Sequence, residues 1–350
     1  MKKTGIAFLI IIICCIPAAA EEYRNLEEIS SPGLSPRIVG GREAEVGDWP
    51  WMAALVYSGI SSYVSGQFCG ASLVHPNWVL TAAHCVYRKS SGSVDVVLNV
   101  HDLENDTGER VNVKRIIVHP FYNDFTLDFD IALLELEHSV SYETIRPVSK
   151  DAVLEGRLSL TMGWGKTDYH TWSYSDKLLE VLIPIVSNET CNEAFNAIAY
   201  YHNDITDVML CAGFADGGKD ACVGDSGGPL IVWEDSAWKL AGIVSWGDGC
   251  AEPNLYGVYT RIPEMLSFIN KYIPITGIPG DFDQNSRIGL EDAVGILQVI
   301  AGLRPESTIF PRSGDYDGDE ELTLKDPVGI LQILAGFSPT AHTAPAAHTE

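Results

Sequence analysis

Short apolar runs separated by turn residues fill the chain from residue 38 to residue 273. The runs are rich in Val, Ile, Leu, Tyr and Trp, and Gly, Pro, Asn or Asp stands between them. Many short strands at this spacing predict an all-β domain, either antiparallel barrels or a sandwich. The predicted strands are 52–57, 72–74, 78–81, 94–100, 115–118, 131–136, 157–163, 178–184, 229–233, 239–246 and 257–261. An amphipathic run at 263–272 predicts a helix that ends the domain.

The segment before residue 38 has a different composition. Residues 1–20 combine two lysines, an apolar stretch and three alanines. This pattern is typical of a signal peptide, and the apolar stretch is short for a membrane anchor. Residues 21–37 are polar, contain Pro and Gly, and end at Arg37. They predict an exposed propeptide with a proteolytic cleavage site before Ile38, in a secreted, extracellular protein.

The C-terminal part of the chain contains a duplication. After a Pro/Gly-rich linker at 274–280, an acidic loop followed by an apolar helix occurs twice within residues 281–337, the copies 34 residues apart. Acids at loop positions 1, 3, 5 and 12 match the spacing of an EF-hand calcium loop, to which position 7 adds a backbone carbonyl. The sequence therefore predicts two bound calcium ions. Residues 338–350 are predicted to be a disordered tail. The predicted ligands are Asp281, Asp283, Asn285, Arg287, Asp292, Asp315, Asp317, Asp319, Glu321 and Asp326.

Charge and cysteine content narrow the class of protein. The formal net charge of -24 and the absence of a basic stripe argue against a nucleic-acid partner and suit a calcium-loaded protein. Cys14 and Cys15 leave with the signal peptide. An even number of cysteines then remains in an exported protein, which implies disulfides but leaves 15 pairings of six open. These cysteines are Cys69, Cys85, Cys191, Cys211, Cys222 and Cys250.

Three separate segments carry residue types suited to nucleophilic catalysis. Ser226 stands between glycines and follows Asp225, so a tight turn can expose its hydroxyl beside peptide N–H groups. A serine hydroxyl needs a base, and His84 follows an apolar strand. Asp130 directly precedes another buried-looking strand and can hold that base in one tautomer. The three fragments predict a serine hydrolase.

Motifs along residues 38–273 resemble the trypsin/chymotrypsin family of serine endopeptidases. The resemblance implies two six-stranded antiparallel β-barrels and no cofactor for catalysis. The motifs are Ile38-Val-Gly-Gly41, Thr81-Ala-Ala-His84-Cys85, Asp130-Ile-Ala-Leu-Leu134, Gly163-Trp-Gly165, Cys211-Ala-Gly213, Gly224-Asp-Ser-Gly-Gly-Pro229, Ser245-Trp-Gly247 and Gly257-Val-Tyr259.

The resemblance implies a role for each catalytic residue. Ser226 attacks the substrate carbonyl, His84 takes and returns the proton, and Asp130 orients His84. The N–H groups of Gly224 and Ser226 form the oxyanion hole. The family pattern also pairs the cysteines as Cys69–Cys85, Cys191–Cys211 and Cys222–Cys250.

The same resemblance implies specificity and activation. Asp220 lies at the base of the primary pocket, where a carboxylate selects Arg or Lys before the cut. Because Ala221 brings no hydroxyl for a lysine ammonium, we expect Arg to be preferred. Cleavage after Arg37 frees the Ile38 amine, which pairs with Asp225, so the secreted form is a zymogen. The remaining pocket residues are Ser245, Trp246, Gly247 and Gly257.

Residues 281–337 resemble a dockerin domain, which implies a cohesin-like protein partner. Ser286 and Glu320 depart from that pattern, because glycine is usual at loop position 6. Two alternatives to a tethered protease stay open. One is a catalytically silent scaffold that binds proteins, and the other is a calcium-dependent assembly module that carries the protease as a passenger.

Overall fold

The computed structural model describes residues 39–198, 204–234, 237–273, 282, 288–303, 316 and 323–335. The predicted signal peptide, propeptide, linker and tail lie outside the described residues, and so does Ile38. Of the predicted calcium ligands, Asp292 and Asp326 are described. Those outside are Asp281, Asp283, Asn285, Arg287, Asp315, Asp317, Asp319 and Glu321.

The first half of the protease-like region is a closed six-stranded antiparallel barrel. Its strands follow each other around the barrel in the order β2, β3, β4, β7, β6 and β5. The interior is lined by apolar side chains such as Leu55, Leu80 and Leu133, which are fully buried. Closure leaves this sheet without an open edge. The strands up to this point are β1 (Arg42–Glu43), β2 (Met52–Tyr57), β3 (Gln67–His75), β4 (Trp78–Thr81), β5 (Val94–Leu98), β6 (Glu109–Val118) and β7 (Ala132–Leu136).

The second half is also a closed antiparallel barrel, in the order β9, β10, β11, β14, β13 and β12, with β12 pairing back to β9. Two short strands join it from outside: β1 pairs with β10, and β8 pairs in parallel with β13. The two six-stranded barrels expected from the resemblance are confirmed. The strands are β8 (Arg146–Pro147), β9 (Leu158–Gly163), β10 (Leu179–Val186), β11 (Met209–Ala212), β12 (Pro229–Glu234), β13 (Ala237–Trp246) and β14 (Gly257–Arg261).

Helices are few in the barrel region. The predicted closing helix is present, and a helix capped by the Ser187 hydroxyl, which accepts from the Thr190 amide, was not predicted. Strand β11, four residues long, was also not predicted. The helices are α1 (Tyr63–Gly66), α2 (Ala83–Val86), α3 (Asn188–Asn196), α4 (Ile262–Tyr272), α5 (Leu290–Ile300) and α6 (Lys325–Leu334).

Helices α5 and α6 belong to the duplicated C-terminal segment and pack against each other. Ala293, Ile296 and Ile330 form their small buried core. Each helix has a glycine under an aromatic ring: a Cβ on Gly295 would lie 2.2 Å from the Phe282 ring. A Cβ on Gly329 would likewise lie 2.1 Å from the Tyr316 ring. Both repeats therefore use the same aromatic-on-glycine contact.

Candidate active site

His84 and Asp130 come together at the edge of the first barrel. His84 lies in α2, the single turn after β4, and Asp130 lies just before β7, which pairs with β4. The His84 Nδ1 lies 2.7 Å from the Asp130 Oδ2, and the His84 backbone N–H donates to the other carboxylate oxygen at 2.8 Å. Since Nδ1 is held by the carboxylate, Nε2 is the ring nitrogen available to a substrate or nucleophile.

Two hydroxyl groups of the second barrel also hold Asp130. The Ser245 Oγ donates to the Asp130 Oδ2 at 2.5 Å, and the Thr260 Oγ1 donates to the Asp130 carbonyl at 2.7 Å. Asp130 is fully buried, so the Ser245 bond to its carboxylate offsets part of the cost of removing the charge from water, while the Thr260 bond holds the backbone. Sequence reasoning assigned Ser245 a substrate-binding role and indicated neither this bond nor a role for Thr260.

Ser226 lies on a tight loop of the second barrel. Gly227, next to it, has a φ of +81°, and a Cβ there would lie 2.2 Å from the Thr81 Oγ1, so glycine is required. Among the described residues, no protein acceptor takes the N–H of Gly224 or of Ser226. Both N–H groups are therefore available to a ligand oxygen, as an oxyanion hole requires.

The serine loop and the histidine approach each other across the Cys69–Cys85 disulfide. The Cys85 Sγ lies 3.7 Å from the His84 Nε2 and 3.7 Å from the Ser226 carbonyl oxygen. The described residues show no hydrogen bond between the Ser226 hydroxyl and His84. The two cysteines and His84 do not form a metal site, because both sulfur atoms are in the disulfide.

The three disulfides pair as the resemblance implied. They join Cys69 to Cys85, Cys191 to Cys211 and Cys222 to Cys250. The first connects β3 to the turn that carries His84, and the third connects two loops that line the pocket beside Ser226.

A cavity of about 320 Å³ opens beside Ser226, with Asp220 in its lining. Only 5% of Asp220 is exposed, and its Oδ2 accepts from the Ala251 amide at 3.0 Å. Its Oδ1 has no hydrogen-bond partner among the described residues. Burial raises the pKa of Asp220 to about 7. A cationic side chain that entered the cavity would supply the missing partner.

The other predicted pocket residues line the same cavity. A Cβ on Gly257 would lie 2.7 Å from the Asp220 Oδ1, so glycine at this position keeps the base of the cavity open. Tyr259, which was not predicted as a pocket residue, also lines the cavity. The predicted residues found here are Ala221, Ser245, Trp246, Gly247 and Gly257.

Asp225 lies fully buried behind the serine loop. Its carboxylate accepts from the Gly165 amide at 2.7 Å and from the Cys222 amide at 2.9 Å. Burial raises the pKa of Asp225 to about 6. The N-terminal end of the described chain is close to the cavity wall, because the Asp220 amide donates to the Val39 carbonyl at 3.2 Å.

In the C-terminal repeats, the two described calcium-ligand candidates are equivalent. Asp292 and Asp326 are each fully buried at loop position 12. The Asp292 Oδ2 accepts from the Gly289 amide at 2.7 Å, and the Asp326 Oδ2 accepts from the Thr323 amide at 2.7 Å. A buried carboxylate at position 12 of each repeat is the residue type that a calcium loop requires there.

Two antiparallel barrels that hold a histidine–aspartate pair beside a serine loop define the chymotrypsin-like class of proteins. The trypsin family model matches residues 38–269, so the chain belongs to the trypsin family of serine endopeptidases. No helix of the described residues is long and apolar enough to span a bilayer.

The chain is similar to longer proteases of the same family. It is 38% identical over 254 residues to human "Transmembrane protease serine 5", covering 69% of this chain and 53% of that protein. It is 39% identical over 254 residues to the bovine "Suppressor of tumorigenicity 14 protein homolog", covering 68% of this chain and 28% of that protein. The chain thus matches about half or less of each relative's length.

Proposed function

We propose that this chain is a secreted, trypsin-like endopeptidase that cuts after Arg, and less readily after Lys. The observation that carries the proposal is the buried Asp220 carboxylate, which has an oxygen without a protein partner in the cavity that Ser226 also lines. A guanidinium donates in a fixed fork, and desolvated charge-assisted bonds of this kind are strong. The His84–Asp130 pair at 2.7 Å supports the catalytic half of the proposal.

The proposed acyl-transfer reaction follows from the hydrogen bond that holds the His84 ring. The Ser226 Oγ attacks the substrate carbonyl while the His84 Nε2 takes its proton, because Nδ1 is held by Asp130. The N–H groups of Gly224 and Ser226 stabilise the oxyanion. The His84 Nε2 then returns the proton to the leaving amine, which leaves an ester on Ser226. Water activated by the same nitrogen hydrolyses this acyl-enzyme.

Profiling of the Arg37-processed protein on a library of peptides tests the proposed specificity. We expect cleavage after Arg, weaker cleavage after Lys because Ala221 brings no hydroxyl to the cavity, and none after Glu or Leu. Equal kcat/KM on matched Arg and Lys peptides would refute the preference. Cleavage confined to neutral residues would refute the role of Asp220.

We further propose that the secreted form is a zymogen. The buried Asp225 carboxylate supports this, since its partners among the described residues are two backbone amides and its pKa is raised by burial. A cation delivered to it would offset the desolvation of its charge. The hydrogen bond from the Asp220 amide to the Val39 carbonyl also supports this, because Val39 lies beside the cavity wall already in the uncut chain.

Replacing Arg37 with Gln is expected to leave the secreted protein uncleaved and at least about 10²-fold less active, because the oxyanion loop stays unordered. N-terminal sequencing and steady-state kinetics measure the two effects. The control is R37K, which a trypsin-like protease still cuts. Full activity of uncleaved R37Q would refute the activation scheme.

The C-terminal repeats are proposed as a calcium-dependent docking module. Support comes from the buried Asp292 and Asp326, and from apolar side chains that both repeats leave exposed at equivalent positions. The exposed apolar side chains are Leu290, Val294 and Leu297 of the first repeat, and Leu324, Val328 and Leu331 of the second. Such repeated apolar faces suit a protein partner, and a cohesin-like protein is the proposed one.

The calcium proposal predicts two ions per chain. Titration calorimetry of the full chain is expected to give a stoichiometry of two, falling to one in either D292N or D326N because a ligand charge is lost. Protease activity of both variants serves as the control for folding and is expected to be unchanged. A stoichiometry of zero in the calcium-stripped full chain would contradict the proposal.

A further inference from the structure

One side chain of the first barrel reaches the serine loop of the second. Gln67 opens β3, and its Nε2 donates to the Gly224 carbonyl at 3.0 Å. No other donor to this carbonyl occurs among the described residues. Sequence reasoning gave Gln67 no role.

The Gln67 bond contributes to the alignment of two backbone N–H groups, those of Gly224 and Ser226, because the peptide groups that carry them are themselves held by hydrogen bonds. In a trans peptide the C=O and the following N–H point in opposite directions. The Lys166 amide donates to the Val223 carbonyl at 2.8 Å, which aims the Gly224 N–H the other way. The Gly228 amide donates to the Asp225 carbonyl at 2.9 Å, which in the same manner aims the Ser226 N–H.

Gln67 holds the peptide group that lies between these two. The Gly224 carbonyl belongs to the Gly224–Asp225 peptide, and Gly224 has a φ of +105°, in a region of backbone space that glycine enters without strain. Without a donor to that carbonyl, the hydrogen bond that remains on this peptide is the one from the Asp225 amide to the Cys222 carbonyl, at 2.9 Å. One bond in place of two leaves the peptide freer to rotate. Rotation would turn the two oxyanion N–H groups away from a common point.

Strand β3 also links the serine loop to the turn that carries His84. The Gly70 amide donates to the Ser226 carbonyl at 2.7 Å, and the Cys69–Cys85 disulfide joins the same strand to the residue after His84. The strand thus touches the loop at two points and the histidine turn at one. The position of Gln67 along β3 is fixed by its pairing with β2.

We propose that Gln67 is a positioning residue for the oxyanion hole, acting through the Gly224 carbonyl. The inference rests on the proposed endopeptidase function. A side-chain amide that does not titrate gives a hold that is independent of pH across the working range. A variant without Gln67 still carries both N–H groups and loses only part of their alignment, so the expected effect is smaller than the loss of one of these donors.

Replacing Gln67 with Met, which has a similar length and no donor, is expected to lower kcat on an Arg peptide about tenfold with KM changed by less than about twofold. In Q67E, the carboxylate opposes the carbonyl but the protonated acid can donate. The ratio of wild-type to Q67E kcat is therefore expected to narrow as the pH falls towards about 4. A purely structural role would not produce this pH dependence.

The matched control is Y63F, which also removes one donor to a backbone carbonyl, the 2.7 Å bond from Tyr63 to Thr107. Its kcat is expected to stay within about twofold of wild type. Amide hydrogen exchange of residues 222–227 is measured in parallel and is expected to rise in Q67M only. Unchanged kcat and unchanged exchange in Q67M would overturn the inference while leaving an active wild type intact. An inactive wild type would refute the endopeptidase function, and the exchange data would still decide the role of Gln67.

Discussion

Replacing Ser226 with Ala is expected to lower kcat on an Arg peptide by about 10⁶-fold, because no other group can form the acyl-enzyme. The Arg37-cleaved form is compared with wild type under single-turnover conditions. Replacing His84 with Ala is expected to have an effect of similar size. The double variant is expected to be no worse than either single one, because the two residues act in one proton transfer.

Binding is expected to survive the loss of the nucleophile. The Asp220 cavity does not depend on the Ser226 hydroxyl, so an aromatic amidine is expected to bind S226A with a Kd within about threefold of wild type. S173A, which changes an exposed serine in another loop, controls for serine replacement itself. Substantial hydrolysis by S226A, or a double variant far worse than S226A, would mean that the nucleophile has been assigned wrongly.

The two barrels were predicted only through the resemblance to a known family. The same holds for the prediction that residues far apart in the chain meet in one site. Alternation and turn residues indicate strands, but they left barrels and a sandwich open. The pairing order that closes each barrel is set by contacts between strands far apart, such as β12 with β9. Strand β11 and helix α3 were missed, although Ser187 before Thr190 is a capping signal that was present in the sequence.

The residues that hold the catalytic groups were the hardest to foresee. Ser245 and Thr260 contact Asp130 from the other barrel, and Gln67 contacts Gly224 across the same boundary. Each is an ordinary polar residue in a strand, and its partner is more than a hundred positions away. Such bonds follow from how the two barrels meet, which local patterns do not encode.

Burial has different consequences for the two acids of the site, Asp130 and Asp220. Asp130 is buried and receives four hydrogen bonds from groups that the fold supplies. Three of them reach its carboxylate oxygens, from the His84 amide, the His84 ring and Ser245. Asp220 is buried with one carboxylate oxygen left without a partner among the described residues, and its pKa rises to about 7. The first arrangement is complete in the protein, whereas the second is completed by a ligand.

Replacing Asp220 with Asn is therefore expected to lower kcat/KM on Arg peptides by about 10²–10⁴-fold, the effect of removing one partner of a buried ion pair. Asn keeps the size of the side chain and removes the charge. D216N changes an exposed acid in the preceding loop and is expected to behave as wild type. Labelling of Ser226 by a phosphonate with a neutral side chain is expected to proceed at a similar rate in all three proteins.

The pH dependence of the wild type tests the same carboxylate without a mutation. Burial raises the pKa of Asp220 to about 7, so lowering the pH through 7 protonates the carboxylate and removes the charged partner for a guanidinium. The pH dependence of kcat/KM reports ionisations of the free enzyme, and the ratio of kcat/KM for Arg and citrulline peptides cancels every pH effect that the two substrates share. This ratio is expected to fall as the pH drops from 8 to 6, and to be flat in D220N. A flat ratio in the wild type would mean either that Asp220 stays charged throughout this range or that it does not contact the substrate. If kcat/KM on Arg peptides were also undiminished in D220N, Asp220 would not contact the substrate.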